Sequence, residues 1–218
     1  MNPHAPIRFG LVLLAACGGA EKRATDVPGS PPRPRIVFLH GMVAGEDPTP
    51  IDPAVKARLE SEGFDVVTPM GRVGLCDWNE ASKAARCWPS DEQKLEVAKA
   101  IASTWPASDK PTLVVGFSNG GAFATLLALH GLYPACGFAS LHGFPAGDLH
   151  ADGPKRPVLL TGGRAAEWEP DQLAQTRAKL EDLGWRYETK LHAGGHSVSD
   201  NDVRALLPWA RATLRGCR

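Results

Sequence analysis

The chain has 218 residues, enough for one domain with a sizeable core, and its 43% hydrophobic and 22% charged content is ordinary for a globular protein. Its 24 Lys+Arg balance 24 Asp+Glu, so neither a basic surplus nor a basic run points to nucleic acid. No Cys-x-x-Cys pair and no histidine cluster at ligand spacing is present, which argues against a bound metal.

At the N-terminus Arg8 precedes the apolar run FGLVLLAA, which is too short for a permanent membrane span and has the layout of a secretory signal. It ends in LAAC, Leu14 to Cys17, which resembles the bacterial lipobox. That resemblance implies cleavage after residue 16, lipidation of Cys17 and a location on the bacterial cell envelope, facing the periplasm or the exterior. Residues 18–34 are polar and rich in proline and glycine, the composition of a flexible tether. The folded domain is expected over 35–218.

Apolar runs then alternate with helical patterns. RIVFLH (35–40) reads as a buried strand. PAVKARLESEG (53–63) reads as a helix with a glycine stop, and FDVVTP (64–69) as a second strand. An irregular stretch, 70–89, follows. Ser90 with Gln93 forms a capping-box pattern ahead of a helix bearing Leu95, Ala98, Ile101, Ala102 and Trp105 on one stripe. PTLVVGF (111–117) is a third strand, 119–131 a helix, CGFASLH (136–142) a fourth strand and RPVLLTG (156–162) a fifth. A helix is expected over 170–183, an edge strand over 185–192, and a last helix capped by Ser199 or Asp200 that Pro208 kinks or divides. Strand–helix alternation with continuous apolar strands predicts an α/β fold, a mostly parallel sheet of about six strands with helices on both faces.

The stretch VVGFSNGGA, Val114 to Ala122, carries the chemistry. It holds G-x-S-x-G where a strand ends and a helix begins. A sharp turn there projects the Ser118 hydroxyl above the sheet. Gly116 and Gly120 are required because a Cβ would crowd the turn. A nucleophilic serine needs a base. His196, in HAGGHSVSD, lies on a loop after the last strand, at the edge of the sheet where Ser118 also sits. His192 is the alternative.

With FLHGM after the first strand, GFSNGG at the turn, PVLLTGG in the penultimate strand and GGHS before the final helix, residues 35–218 resemble the α/β-hydrolase superfamily. They are most similar to the small carboxylesterases that include acyl-protein thioesterases and dienelactone hydrolases. The two extra leading strands of larger members and any lid insertion are missing, which implies a compact, open site. The resemblance implies an oxyanion hole from the backbone N–H groups of Met42 and Asn119. It also implies a third triad member after the penultimate strand. Alignment on Pro170 puts Ala166 where relatives carry Asp, so Glu167 is the expected acid, with Glu169 and Asp171 as alternatives. Their other reading is as first-turn helix charges.

In an exported chain the four cysteines after Cys17 suggest two disulfides. Cys136 begins a strand and Cys217 ends the last helix, both at the bottom of the sheet. Cys76 and Cys87 flank a loop at the top. The layout therefore pairs Cys76 with Cys87 and Cys136 with Cys217. Trp78, Trp88, Trp168, Phe117 and Phe144 either line an apolar acyl pocket or fill the core. SDND (199–202) is better explained by helix capping than as a calcium loop. The expectation is a monomeric, lipid-anchored serine hydrolase that needs no cofactor and cleaves a small-molecule or lipid-like ester or thioester. An acyltransferase and a non-catalytic binding protein of degenerate site are the alternatives.

Overall fold

In a computed structural model of the chain, residues 32–45, 48–76, 80–106 and 108–217 are described. The signal, Cys17, most of the tether and Trp78 lie outside the described residues. Six strands form one sheet in the order β2-β1-β5-β6-β7-β8, and every neighbouring pair is parallel. They are β1 (Arg35–Leu39), β2 (Asp65–Val67), β5 (Thr112–Phe117), β6 (Gly137–Leu141), β7 (Val158–Gly163) and β8 (Tyr187–His192). The order reverses around β1 and β5, so the chain winds outward in both directions from the centre of the sheet.

Alternation along the central strands supplies two cores. Val37, Leu39, Val114, Phe138 and Leu160 face α3 (Leu95–Ala102), α4 (Asn119–Leu129) and α5 (Glu169–Asp182). Ile36, Phe38, Leu113, Val115 and Leu159 face α1 (Pro53–Ser61) and α6 (Asp200–Arg215). Burial on both sides explains why these strands read as unbroken apolar runs. α4 is buried along its whole length, as its run of Gly, Ala and Leu requires.

The stretch expected to be irregular holds a two-stranded antiparallel ribbon, β3 (Arg72–Val73) with β4 (Arg86–Cys87), and one short helix, α2 (Glu80–Lys83). The Ser90–Gln93 box does not form: a 3₁₀ turn over Glu92–Lys94 precedes α3, and its N-cap is Asp91, with no side-chain capping bond. Pro208 does not divide α6, which runs unbroken through it. Pro208 and Arg204, whose carbonyl loses its helical partner, both lie on the exposed face, where water serves instead. Asp200 does not cap α6. Ser199 does, and Asp202 completes the capping box by accepting from the Ser199 backbone.

Cys76 pairs with Cys87 across 5.7 Å between Cα atoms, and Cys136 with Cys217 across 5.4 Å. The first closes the ribbon at the top of the sheet; the second ties the start of β6 to the end of α6.

Candidate active site

Parallel strands bring all their C-terminal ends to one rim of the sheet, and the polar groups gather there. Ser118 follows β5 with φ 53° and ψ −122°, one of only two described non-glycine residues at positive φ. That conformation costs on the order of 1–3 kcal/mol and persists only where the surroundings enforce it. Here they do. A Cβ on Gly116 would overlap the Gly120 carbonyl, and one on Gly120 would overlap the Leu39 carbonyl. The turn is therefore closed by direct backbone packing.

His196, on the loop between β8 and α6, places Nε2 2.9 Å from Ser118 Oγ. Its Nδ1 lies 2.6 Å from Oε1 of Glu169. The acid in contact with the imidazole is thus Glu169, the first residue of α5, and not Glu167. Glu167 is exposed, as is Asp171, whereas Glu169 is fully buried. The turn Arg164–Trp168 is tight: Ala166 N–H donates to Gly163 O and Glu169 N–H to Ala166 O. That winding rotates Glu169 inward beneath His196 and leaves Glu167 on the outside. His192, the alternative base, points the other way, with Nε2 3.1 Å from Asp202 and Nδ1 accepting from Gly194 N–H.

Glu169 is also held from behind. Its Oε2 accepts from Gly163 N–H at 2.5 Å and faces Nδ1 of His142 at 2.7 Å. The other ring nitrogen of His142 lies 3.1 Å from Asp202 Oδ1, which also accepts from Thr161 Oγ1 at 2.6 Å. Burial alone would drive the proton off His142, but the hydrogen bonds and charges of Asp202 and Glu169 outweigh it and raise its pKa. Burial likewise opposes the charge on Asp202, yet hydrogen bonds from His142, Thr161 and Ser199 hold its carboxyl far below the usual carboxylate range. Sequence reasoning missed this layer. His142 read only as a strand end and Asp202 only as part of a cap. In distance terms, His142, Glu169 and His196, or His142, His192 and Asp202, fall close enough to surround an ion. Each of those atoms already has the hydrogen-bond partner given above, so they form a bonded network rather than an open coordination site.

Met42 and Asn119 both border the cavity that contains Ser118. The Asn119 N–H starts α4 and has no intrahelical acceptor, and the N-terminal end of the helix adds partial positive charge. The Asn119 side chain clamps the ribbon: Oδ1 accepts from Trp88 N–H at 2.6 Å and Nδ2 donates to Trp88 O at 3.1 Å. Trp88 Nε1 donates in turn to His40 O at 2.9 Å. His40 accepts from Gly71 N–H through Nε2, and burial lowers its pKa, so it serves the loop as a neutral imidazole.

Two cavities meet at this point. One of about 450 Å³ contains Ser118, Asn119 and His196 and is walled by Phe144, Trp168 and Gln172. The other, about 320 Å³, lies beyond Met42 and His196 and is walled by Phe38, Ile51, Val55 and Phe117. Of the expected pocket aromatics, Phe144, Trp168 and Phe117 line these spaces. Trp88 does not: it is buried, stacked on Phe123 at 5.5 Å. Trp168 is 45% exposed and sits 5.0 Å from the His196 ring.

No family model and no curated protein matches the sequence. Solved structures do. SOBER1 of Arabidopsis thaliana aligns with a TM-score of 0.62 at 24% identity, covering 84% of this chain and 99% of that one. Esterase PE8 aligns at 0.59 and 19% identity, covering 83% and 93%. The carboxylesterase of Bacillus cereus aligns at 0.60 and 18% identity, covering 83% and 89%. The chain has the α/β-hydrolase fold.

Proposed function

We propose that this α/β-hydrolase chain is a serine hydrolase that cleaves carboxylic esters or thioesters through an acyl-enzyme. The observation that carries the reading is the unbroken relay from Ser118 Oγ to His196 Nε2 and from His196 Nδ1 to Glu169, at 2.9 and 2.6 Å. Ser118 attacks the acyl carbon while His196 takes its proton. Glu169 accepts from Nδ1–H, which fixes the tautomer with a free lone pair at Nε2 and stabilises the imidazolium as it forms. The N–H groups of Met42 and Asn119 receive the developing oxyanion, a role worth about 3–4 kcal/mol per donor in sites of this kind. His196 then protonates the leaving group, and water, activated by the same base, cleaves the acyl-enzyme.

The two apolar cavities on either side of Ser118 and His196 suit an acyl group and a leaving group of modest size, which favours a small-molecule or lipid-like ester. That two of the aligned structures are named as esterases supports the bond type. A fluorophosphonate probe tests the reading. Wild-type protein is expected to label and the Ser118→Ala variant not to; an unlabelled wild type, or equal labelling of both, refutes it.

Anchoring at the envelope through Cys17 belongs to the same proposal and rests on the LAAC sequence. Among the described residues no helix is long and apolar enough to cross a membrane. Radiolabelled palmitate incorporation that is lost in Cys17→Ser is the expected result.

A further inference from the structure

We propose that His142 is a positioning residue kept as a buried imidazolium behind the catalytic acid, where it aims Glu169 at His196 and extends catalysis to lower pH than the serine, base and acid would sustain alone. The inference rests on the serine hydrolase reading and goes beyond it, because a relay of three residues needs no second histidine on its acid.

The protonation state follows from donor counting. A carboxylate only accepts hydrogen bonds, and both ring nitrogens of His142 face carboxylate oxygens, Glu169 Oε2 at 2.7 Å and Asp202 Oδ1 at 3.1 Å. Every other contact of the two carboxyls brings them a donor, which favours their ionised forms. Glu169 already receives Gly163 N–H on Oε2 and His196 on Oε1. Asp202 receives Thr161 on Oδ1 and both the backbone and the hydroxyl of Ser199 on Oδ2. His192 Nδ1 accepts from Gly194 N–H, so its Nε2 donates to Asp202 and His192 is neutral. With both carboxyls ionised, every contact is satisfied when His142 carries two N–H groups and a positive charge, sealed from solvent.

The backbone fixes where this ring points. His142 sits at φ 56°, the left-handed region that β-carbon-bearing residues avoid. Its N–H is held by Thr161 O at 2.9 Å, and a Cβ on the next residue, Gly143, would overlap the Ser118 carbonyl. The strain turns the imidazole inward between α5 and α6. The ionisable groups facing it are Glu169 from α5, Asp202 from α6, His192 from β8 with ring centroids 5.1 Å apart, and His196 at 5.9 Å.

Two consequences follow. Anchoring Oε2 from behind leaves Oε1 alone to meet His196, which fixes the direction of the relay. The cation also draws on the charge of Glu169, so less remains to hold an additional proton on the base when the medium becomes acidic.

His142→Asn separates the two effects. Asparagine tolerates positive φ, and its amide reaches about where Nδ1 lies, so the bond to Glu169 is kept while the charge and the bond to Asp202 are lost. The acid limb of the kcat/KM profile on a p-nitrophenyl ester is expected to move toward higher pH by about one unit, with KM unchanged. His142→Ala, which removes the anchor too, is expected to lower kcat by at least about tenfold at the plateau. A His142→Asn profile that superimposes on the wild type overturns the proposal. A direct measurement needs no variant. ¹⁵N spectra of histidine-labelled wild-type protein are expected to show both ring nitrogens of His142 protonated at pH 8, and a neutral tautomer there also overturns it. Fluorophosphonate labelling of Ser118 is read separately, so a failure of the hydrolase reading is distinguishable from a failure of this one.

Discussion

Replacing Glu169 by glutamine keeps its shape and removes its charge, and the structure says what the amide must do. Three N–H donors converge on the two carboxylate oxygens: His196 Nδ1 at 2.6 Å, His142 Nδ1 at 2.7 Å and Gly163 N at 2.5 Å. An amide offers one oxygen. Turned toward the two donors at the rear, it presents its NH₂ to His196 and forces Nδ1 to accept. The imidazole proton then sits on Nε2, pointing at Ser118 Oγ 2.9 Å away, and no lone pair is left to take the serine proton. A wrong-tautomer base costs about 10⁴-fold in kcat, or about 5.4 kcal/mol of barrier. Glu167→Gln, two residues away on the exposed side of the turn, is expected to stay within about twofold of wild type, as surface changes usually do. The assay is kcat/KM on a short-chain p-nitrophenyl ester, with circular dichroism to confirm folding. The reasoning is refuted if Glu169→Gln remains within tenfold of wild type, or if Glu167→Gln is the more damaging change.

Stability should pass through a maximum in mildly acidic solution. The raised pKa of His142 contributes stability fully below its ordinary 6.5 and loses it as pH rises through the raised value. The lowered pKa of Asp202 contributes above its ordinary 3.8 and loses it as pH falls toward the lowered value. The two belong to one coupled pair, so a single broad optimum is expected in differential scanning fluorimetry, and a Tm that keeps climbing through alkaline pH contradicts it. Serine replacement of the Cys136–Cys217 pair, which closes a separation of 81 residues, should cost about 4.5 kcal/mol, against about 3 for Cys76–Cys87 at a separation of 11. A larger Tm loss for the short loop would count against chain entropy as the cause.

Much of this site was legible because steric necessity writes itself in residue types. Only glycine fits at 116 and 120, so the turn that presents Ser118 could be read directly, and chain order then pointed to His196. Glu169 was weighed and passed over because acids in a first helical turn are commonplace, and nothing in the letters separates one that caps from one that is buried. The difference lies in the winding of Arg164–Trp168, which is a property of the turn and not of the glutamate. His142 was illegible for a related reason. A histidine at positive φ carries no signature in composition, and its partners Glu169 and Asp202 come from 27 and 60 residues away. The central strands were found to within two residues, since burial on both faces leaves them uniformly apolar, whereas the short ribbon β3–β4 was not read. Pro208 does not divide α6, because the cost of a proline depends on whether the orphaned carbonyl faces water.

Asn119 has two attachments. Its backbone follows Ser118 at the start of α4, while its side-chain amide grips the main chain at Trp88, one residue after Cys87. Loosening of the disulfide-closed hairpin by heat or a reductant therefore reaches the rim beside Ser118 directly, through Asn119 and through the bonds of Trp88 and Gly71 to His40. Loss of turnover should precede loss of helix signal, so that the hairpin acts as a fuse which fails while the rest of the molecule still stands.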